Sequence, residues 1–336
     1  MSVLSERYLK VEYPNTSSLN FHRKLKSLGK KTLRSSVLQR VQPVAQRIIS
    51  VTEPSGRISI MDDPENHRER TTDEHISILT ANLWHDWPRQ RRFRERLECF
   101  VELVQKEAVD ILLLQELART KDFKTDEWLA DQLGMAYVYS RANGQAGEIG
   151  FEEGLAVFSR FPIKKPRLAQ LSDHKNPFFR RIALGTSIEI DGGNLLAFTV
   201  HLGINGRQNE SQFCRLINWV EEQSGSVPAV IGGDFNAREN TSQIRNAQNS
   251  WHDSFREINP DDDGFTHEIQ WPWGGTLTRS RLDYLFLRRG DFPWRVDEAR
   301  HVEIDDCSVS DHTPVLIKAR IPTGRNQPSS ENDPHQ

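Results

Sequence analysis

The feature that most constrains the fold of this chain is the stretch 227–237, an apolar run that leads through Gly232 and Gly233 to Asp234 and Asn236. A short apolar run between proline and glycine is typical of a buried strand. The two glycines allow a sharp turn and the close approach of another group. Asp234 and Asn236 lie two positions apart, so in an extended backbone a carboxylate and an amide would point the same way. They form either an ordinary Asx turn or a site for a cation and a phosphate oxygen.

A second apolar run, residues 109–114, is followed closely by Glu116. Runs of this kind are typical of strands that are buried on both faces of a sheet. Stretches of helical periodicity separate the apolar runs. Strands are predicted over 76–80, 109–114, 155–159, 182–190, 195–201, 282–287 and 313–319, helices over 93–104, 126–133, 211–223 and 239–249, and loops over 141–153 and 261–275. Alternating buried strands and helices predict a layered α/β domain.

Length and cysteine content restrict the class of protein. The 336 residues could form one large α/β domain or two ordinary ones. No apolar run approaches the ~18 residues of a membrane span, so no transmembrane helix is predicted. The three cysteines, Cys99, Cys214 and Cys307, have neither metal-ligand spacing nor a disulfide pattern, which favours reduced intracellular thiols. The N-terminus lacks the compact apolar segment of a secretory signal, so a cytoplasmic protein is expected.

Charge is unevenly distributed along the chain. Residues 1–50 hold ten Lys or Arg against two Glu, a net +8, so the remainder must carry −11 to give the total of −3. Residues 1–72 are predicted to be a basic, partly helical or disordered extension and linker, residues 73–321 the main domain, and residues 322–336 a disordered tail. The partner of the basic extension would be an anionic membrane surface, a nucleic acid or the rest of the protein.

Polar residues recur where the apolar strands begin or end. They are Asn82, Glu116, His201, Asp234, Asn236, Asp283, Asp311 and His312. Each one alone has an ordinary explanation, such as a helix cap, a satisfied buried histidine or a surface ion pair. In layered α/β proteins, however, loops at one end of the sheets bring such side chains together. The ordered set therefore predicts one composite site.

These residues lie in seven segments that resemble the motifs of the endonuclease/exonuclease/phosphatase superfamily, a group of deoxyribonuclease I-like, metal-dependent phosphoesterases. The segments are 80–84, 114–116, 153–159, 200–202, 232–237, 281–284 and 310–314, in the order found in the family. A single Ser-Asp-His triplet is a weak signal, but seven segments in order are specific. The resemblance implies an α/β fold, a four-layer α/β sandwich in which two mixed β-sheets pack face to face with helices outside.

The resemblance also implies a divalent-metal site. Glu116 and Asn82 match metal-binding positions of the family, and Asp311 is a further contributor through water. Oxygen ligands of this kind suit octahedral Mg²⁺, with Mn²⁺ as an alternative. The metal would polarise a phosphoryl oxygen and stabilise charge on the leaving group.

The remaining motif residues match the catalytic group of the family. Asp283 would orient His312, which suits proton transfer or charge stabilisation near neutral pH. Asp234 would position or deprotonate the attacking water, while Asn236 and His201 would donate hydrogen bonds to phosphate oxygens. The general base is either Asp234 or His312, with Asp234 assigned first.

Substrate choice is expected to depend on the loops around the site. Arg89, Arg91 and Arg181 are candidate substrate-binding residues, and aromatic residues near them would stack bases, as in single-strand nucleic-acid sites. The favoured function is a Mg²⁺-dependent phosphodiesterase that acts on nucleic acid. The alternative is a lipid or inositol-phosphate phosphoesterase, although no hydrophobic insertion of the sphingomyelinase type is recognised. A non-catalytic binding module is disfavoured because every catalytic residue type stands at its motif position. The sequence leaves the oligomeric state open.

Overall fold

The apolar strands assemble into two large sheets in the computed structural model of this chain. The structure describes residues 7–10, 56–62, 75–172, 180–190, 193–271, 273–290, 295–305 and 307–320. Its strands are β1 (Arg7–Lys10), β2 (Arg57–Met61), β3 (His75–Asn82), β4 (Ile111–Thr120), β5 (Ala136–Gln145), β6 (Phe151–Ser159), β7 (Ile163–Gln170), β8 (Ile182–Ile190), β9 (Gly193–His201), β10 (Ala229–Asp234), β11 (His252–Asp253), β12 (His267–Gln270), β13 (Thr276–Ser280), β14 (Asp283–Arg288), β15 (Arg295–His301) and β16 (Val315–Arg320).

The helices lie between the strands in sequence. They are α1 (Phe93–Lys106), α2 (Thr125–Leu133), α3 (Ala146–Ile149), α4 (Gly206–Ser224), α5 (Ser242–Ser250) and α6 (Ser254–Ile258). Among the residues that the structure describes, no helix combines the length and the apolar character needed to cross a bilayer.

Both sheets are mixed. The first has eight strands in the order β1-β2-β5-β6-β4-β3-β16-β15, and the second has six in the order β11-β14-β10-β9-β8-β7. One neighbouring pair in each sheet is parallel, β3 with β4 and β9 with β10. The other pairs are antiparallel. A separate hairpin consists of β12 and β13.

Three apolar clusters separate the layers of the fold. Leu113 and Val230, one from each sheet, are fully buried in the cluster between the two sheets. Phe100 belongs to a cluster between the eight-stranded sheet and helices α1 and α2. Phe213 and Ile244 belong to a cluster between the six-stranded sheet and helices α4 and α5. The order helix, sheet, sheet, helix confirms the predicted four-layer α/β sandwich.

The two sheets approach closely beneath the end of β10. A Cβ atom on Gly232 would stand 2.6 Å from Leu113 Cδ1 and 2.7 Å from Leu285 Cδ2, so a larger residue would push the layers apart. In the same region, Nε2 of Gln115 on β4 donates a hydrogen bond to Thr199 Oγ1 on β9, over 2.9 Å. Because β4 and β9 belong to different sheets, this buried bond fixes one sheet against the other.

The predicted linker contains a core strand. Residues 57–61 form β2 next to β5, and Ile58 is fully buried between the sheets. These five residues lie within the predicted extension and linker 1–72, and they are too short a run to stand out among charged neighbours. The strand β1 also pairs with β2 from within the predicted extension. The remainder of residues 1–55 and the predicted tail 322–336 lie outside the described residues.

Two predicted loops also contain strands. The stretch 141–153 includes the end of β5 and the start of β6, and the stretch 261–275 includes β12. Glycines and charged residues in these stretches conceal the strand pattern. Pairing with a neighbouring strand satisfies the backbone hydrogen-bonding groups and overrides this local composition.

The prediction of reduced thiols is wrong for two of the three cysteines. Cys99 on α1 and Cys307 are joined in a disulfide bond, with their Cα atoms 6.2 Å apart. The pair is separated by 208 positions in sequence, so only the tertiary fold brings it together. Cys214 is free and exposed.

Candidate active site

Asp234 and Asn236 form the Asx turn that ends β10. The backbone N–H of Asn236 donates to Asp234 Oδ1 over 2.9 Å, and Asn236 adopts a positive φ of 47°. At Gly233, φ is 154° and an added Cβ would collide with the carbonyl oxygen of Val200. The turn interpretation and the site interpretation are thus compatible, because the turn is what presents the carboxylate.

Strand register brings three predicted site residues side by side. Asp234 is opposite Asp283 in the antiparallel pair β10–β14 and opposite His201 in the parallel pair β9–β10. Neighbouring strands are about 4.8 Å apart, so side chains at one register level are within reach of each other. His201 Nε2 lies 3.4 Å from Asp234 Oδ2.

His312 joins this row through Asp283. Its Nδ1 lies 2.7 Å from Asp283 Oδ2, and its Nε2 lies 3.9 Å from Asp234 Oδ2. The Thr266 hydroxyl accepts from the backbone N–H groups of Leu282 and Asp283, at 3.0 and 3.1 Å, and so fixes the start of β14. Burial alone would lower the pKa of His312, but the carboxylates of Asp283 and Asp234 raise it to about 10.

The pKa values of Asp234 and His201 are shifted in opposite directions. Burial and the neighbouring carboxylate of Asp283 raise the pKa of Asp234 to about 7. Burial and the positive charge of Arg181 hold the pKa of His201 well below its ordinary value. At neutral pH the row therefore contains a cationic His312, a neutral His201 and an Asp234 that can exchange a proton.

Glu116 reaches the site through an irregularity in β4. The register of β4 against β6 shifts between Leu114 and Leu117, and Glu116 adopts a left-handed φ of 55°. Such a bulge re-aims a side chain, and here it brings the carboxylate to Asn82 on the parallel neighbour β3. Asn82 Nδ2 donates to Glu116 Oε1 at 3.1 Å and to Asp234 Oδ2 at 3.2 Å. The two carboxylates are thus linked by one amide.

Asn82 presents a donor rather than an oxygen to these carboxylates. Its Oδ1 accepts from the backbone N–H of Trp84 over 3.0 Å, which fixes the orientation of the amide. In this arrangement Asn82 holds Glu116 in place, and a ligand role for its oxygen stays a prediction.

His85 and Glu153 flank Glu116, and sequence reasoning missed both as site residues. The backbone N–H of Trp87 donates to His85 Nδ1 at 3.0 Å, so the ring proton of the neutral imidazole is on Nε2. That Nε2 lies 3.0 Å from Glu153 Oε2 and 3.4 Å from Glu116 Oε2. In this arrangement the Nε2–H of His85 holds the two carboxylates in place, and the three side chains together form a group that could hold a metal ion.

The site has an excess of buried negative charge that suits a divalent cation. Burial and the carboxylate of Glu153 raise the pKa of Glu116, and Asp311 acts in the same direction. Asp283 Oδ1 is buried without a hydrogen-bond partner among the described residues. Hard carboxylate oxygens are the donors that Mg²⁺ and Mn²⁺ prefer. Among the described residues, Glu116 lies in one acidic group with Glu153 and His85, and Asp311 lies in another with His267 and His312, so the metal-ligand roles of Glu116 and Asp311 stay predictions.

Asp311 lies at the outer side of the site. It is exposed, and its carboxylate lies within 4.8 Å of ring nitrogens of His312 and His267. The His267 ring lies against His312 with centroids 4.5 Å apart. Since His267 starts β12, the hairpin β12–β13 is attached directly to the site.

Of the three predicted substrate-binding arginines, the structure brings Arg181 to the centre. A small pocket is lined by Glu116, Glu153, His201 and Arg181. Arg181 Nε has no hydrogen-bond partner among the described residues. The other two lie on the segment between β3 and α1: Arg89 is exposed, and Arg91 Nε donates to Asp86 Oδ2 over 2.9 Å.

Arg96 is a further residue that the sequence did not single out. It is 6% exposed, and its guanidinium donates to the carbonyl oxygens of Leu83, Trp84 and Val309, at 3.1, 2.7 and 3.3 Å. It thereby connects the segment after Asn82 with the segment before Asp311. The sequence signal was the position of Arg96 three residues after Phe93, on the apolar face of the helix. An arginine on such a face is buried, and a buried arginine almost always has partners.

Comparison with known proteins agrees with this geometry. The family model described as "Endonuclease/Exonuclease/phosphatase family" matches residues 79–312. The uncharacterized protein YbhP of Escherichia coli (strain K12) is 26% identical over 183 residues, which are 50% of this chain and 69% of YbhP.

Two solved structures share the fold at low sequence identity. The TDP2 of D. rerio, complexed with a single-strand DNA product, has a TM-score of 0.60 at 15% identity, over 74% of this chain and 100% of that chain. The mannosyl-6-phosphatase Bt3783 of Bacteroides thetaiotaomicron VPI-5482 has a TM-score of 0.57 at 19% identity, over 73% of this chain and 99% of that chain. Because the family model spans most of the chain and its motif residues converge at one end of the sandwich, the protein belongs to the endonuclease/exonuclease/phosphatase family.

Proposed function

We propose that this protein is a divalent-metal-dependent phosphoester hydrolase, most simply a phosphodiesterase. The observation that carries the proposal is the row in which Asp234 stands between neutral His201 and the charged His312–Asp283 pair. One group in this row can accept a proton while its neighbours donate hydrogen bonds. In-line attack of water on phosphorus needs both.

The pKa values favour Asp234 over His312 as the general base. Asp234 has a pKa raised to about 7, so its carboxylate can take a proton from water near neutral pH. His312 has a pKa raised to about 10 and already carries its proton. The imidazolium of His312 would therefore stabilise charge on the phosphoryl oxygens, and the carboxylate of Asp283 keeps it protonated and oriented.

The remaining groups bind and orient the phosphate. Neutral His201 and the Asn236 amide would donate to phosphoryl oxygens, and Asn236 Nδ2 is already held by the carbonyl of Leu202 at 2.9 Å. Arg181 would pair with a phosphate oxygen from the pocket side. A bound Mg²⁺ or Mn²⁺ would neutralise charge that develops on the phosphoryl and leaving oxygens.

Nucleic acid is the substrate that we place first. Arg181 in the pocket and the arginines at 89 and 91, close in sequence to the exposed Trp87, suit a phosphate backbone with adjacent bases. The D. rerio TDP2 structure, which shares the fold, contains a single-strand DNA product. The mannosyl-6-phosphatase structure shares the fold to a similar degree, so the fold alone does not distinguish a nucleic acid from a sugar phosphate as the substrate.

A lipid or inositol-phosphate ester is the second candidate. Exposed aliphatic side chains at the site end of the sandwich favour it, because they have no use in binding a polar nucleic acid. The cytoplasmic location stays a proposal, and the Cys99–Cys307 disulfide weakens the cysteine argument for it.

A substrate panel with a matched variant tests the function. Hydrolysis of bis(p-nitrophenyl) phosphate, p-nitrophenyl phosphate, single- and double-stranded DNA, RNA, sphingomyelin and inositol phosphates would be measured with Mg²⁺, Mn²⁺ or chelator. Asp234→Asn should lower turnover by at least ~10²-fold, since it removes a positioned acid/base group. Asp131→Asn, an exposed residue of α2, is the control and should have no effect.

Three results would contradict the proposal. They are activity that survives chelation, wild-type turnover in Asp234→Asn, and no hydrolysis of any phosphoester. The last result would favour the non-catalytic binding module.

A further inference from the structure

Trp87, in the segment between β3 and α1, has an exposed indole ring that is held in place from below. The ring is 41% exposed and stacks on Phe151, with the ring centroids 4.6 Å apart and the ring planes at 14°. The backbone N–H of Trp87 donates to His85 Nδ1 over 3.0 Å, which fixes the chain at this point. Since Phe151 covers one face of the indole, the exposed area belongs to the opposite face and the edge.

Contacts through Phe151 connect this indole to the candidate site. The ring of His85 packs edge-on against Phe151, with centroids 4.8 Å apart, and His85 Nε2 lies 3.4 Å from Glu116 Oε2. Phe151 and Glu153 are two positions apart on β6, so their side chains lie on the same face of the strand, about 7 Å from each other. Glu153 lines the small pocket together with Arg181. The indole ring and the pocket are therefore neighbours along β6.

One arginine lies on the pocket side of the indole, and another lies on the same turn as the indole. Arg181 lines the pocket, and its Nε has no hydrogen-bond partner among the described residues. Arg89 follows Trp87 by two positions, on a turn that the backbone N–H of Gln90 closes at the carbonyl oxygen of Asp86, over 2.6 Å. Arg89 is exposed and forms no ion pair with a described residue. Two guanidinium groups are therefore available to phosphates next to one aromatic ring.

A single exposed ring near two cationic groups fits a nucleobase. Sites for single-stranded nucleic acid combine aromatic rings, on which bases stack, with positive charge along the path of the phosphates. A nucleotide within a strand has a phosphate on each side, whereas a sugar phosphate monoester has one. A lipid surface needs a wider apolar area, and Trp87 has the polar neighbours Asp86, Arg89 and Gln90 on its turn.

We propose that Trp87 is the platform on which the nucleobase next to the scissile phosphate stacks, in a single-stranded nucleic-acid substrate. Arg181 would contact the scissile phosphate in the pocket, and Arg89 would pair with the next phosphate along the strand. The platform favours an unpaired base, because a base within a duplex must first be unstacked and unpaired. The proposal rests on the proposed function in placing the scissile phosphate at the row that contains Asp234.

Binding of two oligonucleotides to the full chain tests the platform. One is oligothymidylate and the other is an abasic strand of the same length, and fluorescence anisotropy with Mg²⁺ gives the affinity for each. All proteins carry Asp234→Asn, which prevents hydrolysis during the measurement. The parent protein should prefer the thymidylate strand, and Trp87→Ala should lower the ratio of the two affinities by at least ~5-fold, the lower end of the contribution of one base–aromatic stack. Phosphate contacts are common to both strands and cancel in this ratio.

Three further variants distinguish stacking from a structural role of Trp87. Trp87→Phe keeps an aromatic ring and should retain most of the preference for thymidylate. Trp87→Leu keeps an apolar contact with Phe151 but has no ring, so it should lose the preference even if Trp87→Ala fails to fold. Trp273→Ala is the matched control, because Trp273 is 77% exposed and its ring stacks on Trp271 of the hairpin. It should leave the ratio unchanged.

The outcomes separate stacking from catalysis. A base-dependent affinity that falls in Trp87→Leu, in a protein whose wild type hydrolyses no phosphoester, would support the platform and overturn the proposed function. Hydrolysis by a wild type whose parent variant binds both strands equally would support the proposed function and overturn the platform. The platform is also overturned if Trp87→Leu leaves the ratio unchanged, or if Trp273→Ala lowers it by as much, which would identify the hairpin as the stacking surface.

Discussion

At the scale of single residues, the candidate site places a carboxylate that can accept a proton next to a histidine that holds one. Asp234 is 2% exposed, and burial next to Asp283 makes it a weaker acid than an ordinary aspartate. His312 shares these carboxylates and becomes a stronger base than an ordinary histidine. The same negative environment therefore produces a proton acceptor and a fixed positive charge within 3.9 Å.

The His312–Asp283 pair should behave as one catalytic unit. His312→Ala and Asp283→Asn should each lower turnover by at least ~10²-fold, and the double variant should be little worse than either, because each change removes the same oriented imidazolium. Steady-state kinetics on a soluble phosphodiester would measure this double-mutant cycle. The matched control is His75→Ala with Asp297→Asn, a surface His–Asp pair at 2.9 Å that should not affect turnover. Losses that multiply in the double variant would argue for independent roles.

Metal binding should compete with protons at Glu116 and Asp234. Because the pKa of Asp234 is raised to about 7, lowering the pH from about 8 to about 6 protonates it, and the raised pKa of Glu116 acts in the same direction, so Mn²⁺ affinity should fall. Isothermal titration with Mn²⁺ measures this directly. Glu116→Gln should weaken binding by at least ~10-fold, whereas Glu98→Gln, an exposed residue of α1, should not. Affinity that is independent of pH would show that no carboxyl group with a raised pKa takes part in metal binding.

At the scale of secondary-structure elements, the site is assembled by segments that follow strand ends and are held by cross-connections. The bulge in β4 aims Glu116, and Arg96 on α1 binds carbonyl oxygens on both sides of the site. The disulfide from Cys99 attaches the same helix to the segment that leads to Asp311 and His312. Helix α1 therefore fixes the position of two site residues that it does not itself contain.

Removing the disulfide should lower stability and loosen this segment. Cys307→Ser should cost about 2–4 kcal/mol of unfolding free energy, the usual contribution of a disulfide. Thermal unfolding of the variant, and of the wild type with reductant, would show the loss as a lower Tm. Cys214→Ser is the control, because Cys214 is free and exposed. Equal Tm values for Cys307→Ser and the wild type would mean that the bond does not form in solution.

At the scale of the whole molecule, the sandwich extends across the boundary predicted at residue 72. Strands β1 and β2 complete one edge of the eight-stranded sheet, and Ile58 fills a buried position between the sheets. Without them β5 would become an exposed edge strand with unpaired backbone groups.

A chain that starts at residue 73 should therefore be less stable than the full chain. Urea unfolding should show a lower midpoint, and Ile58→Ala in the full chain should by itself cost about 2–5 kcal/mol through the cavity it leaves. Removal of residues 322–336, which the sequence predicts to be disordered, is the control and should not move the midpoint. An unchanged midpoint for the shorter chain would show that the two strands add nothing to the core.

The sequence by itself determined the fold class and proposed eight site residues through strand ends and family motifs, but it missed His85, Glu153 and Arg96. Apolar runs that end on Asn82, Glu116, His201 and Asp234 identify buried strands and mark the polar residues at their ends, because both signals are local in sequence. The tertiary structure decided how these residues are arranged. Register across β9, β10 and β14 placed Asp234 between His201 and Asp283, and burial then set the pKa of each group. The Cys99–Cys307 bond and the place of β2 also depended on contacts between distant segments, which composition and periodicity do not encode.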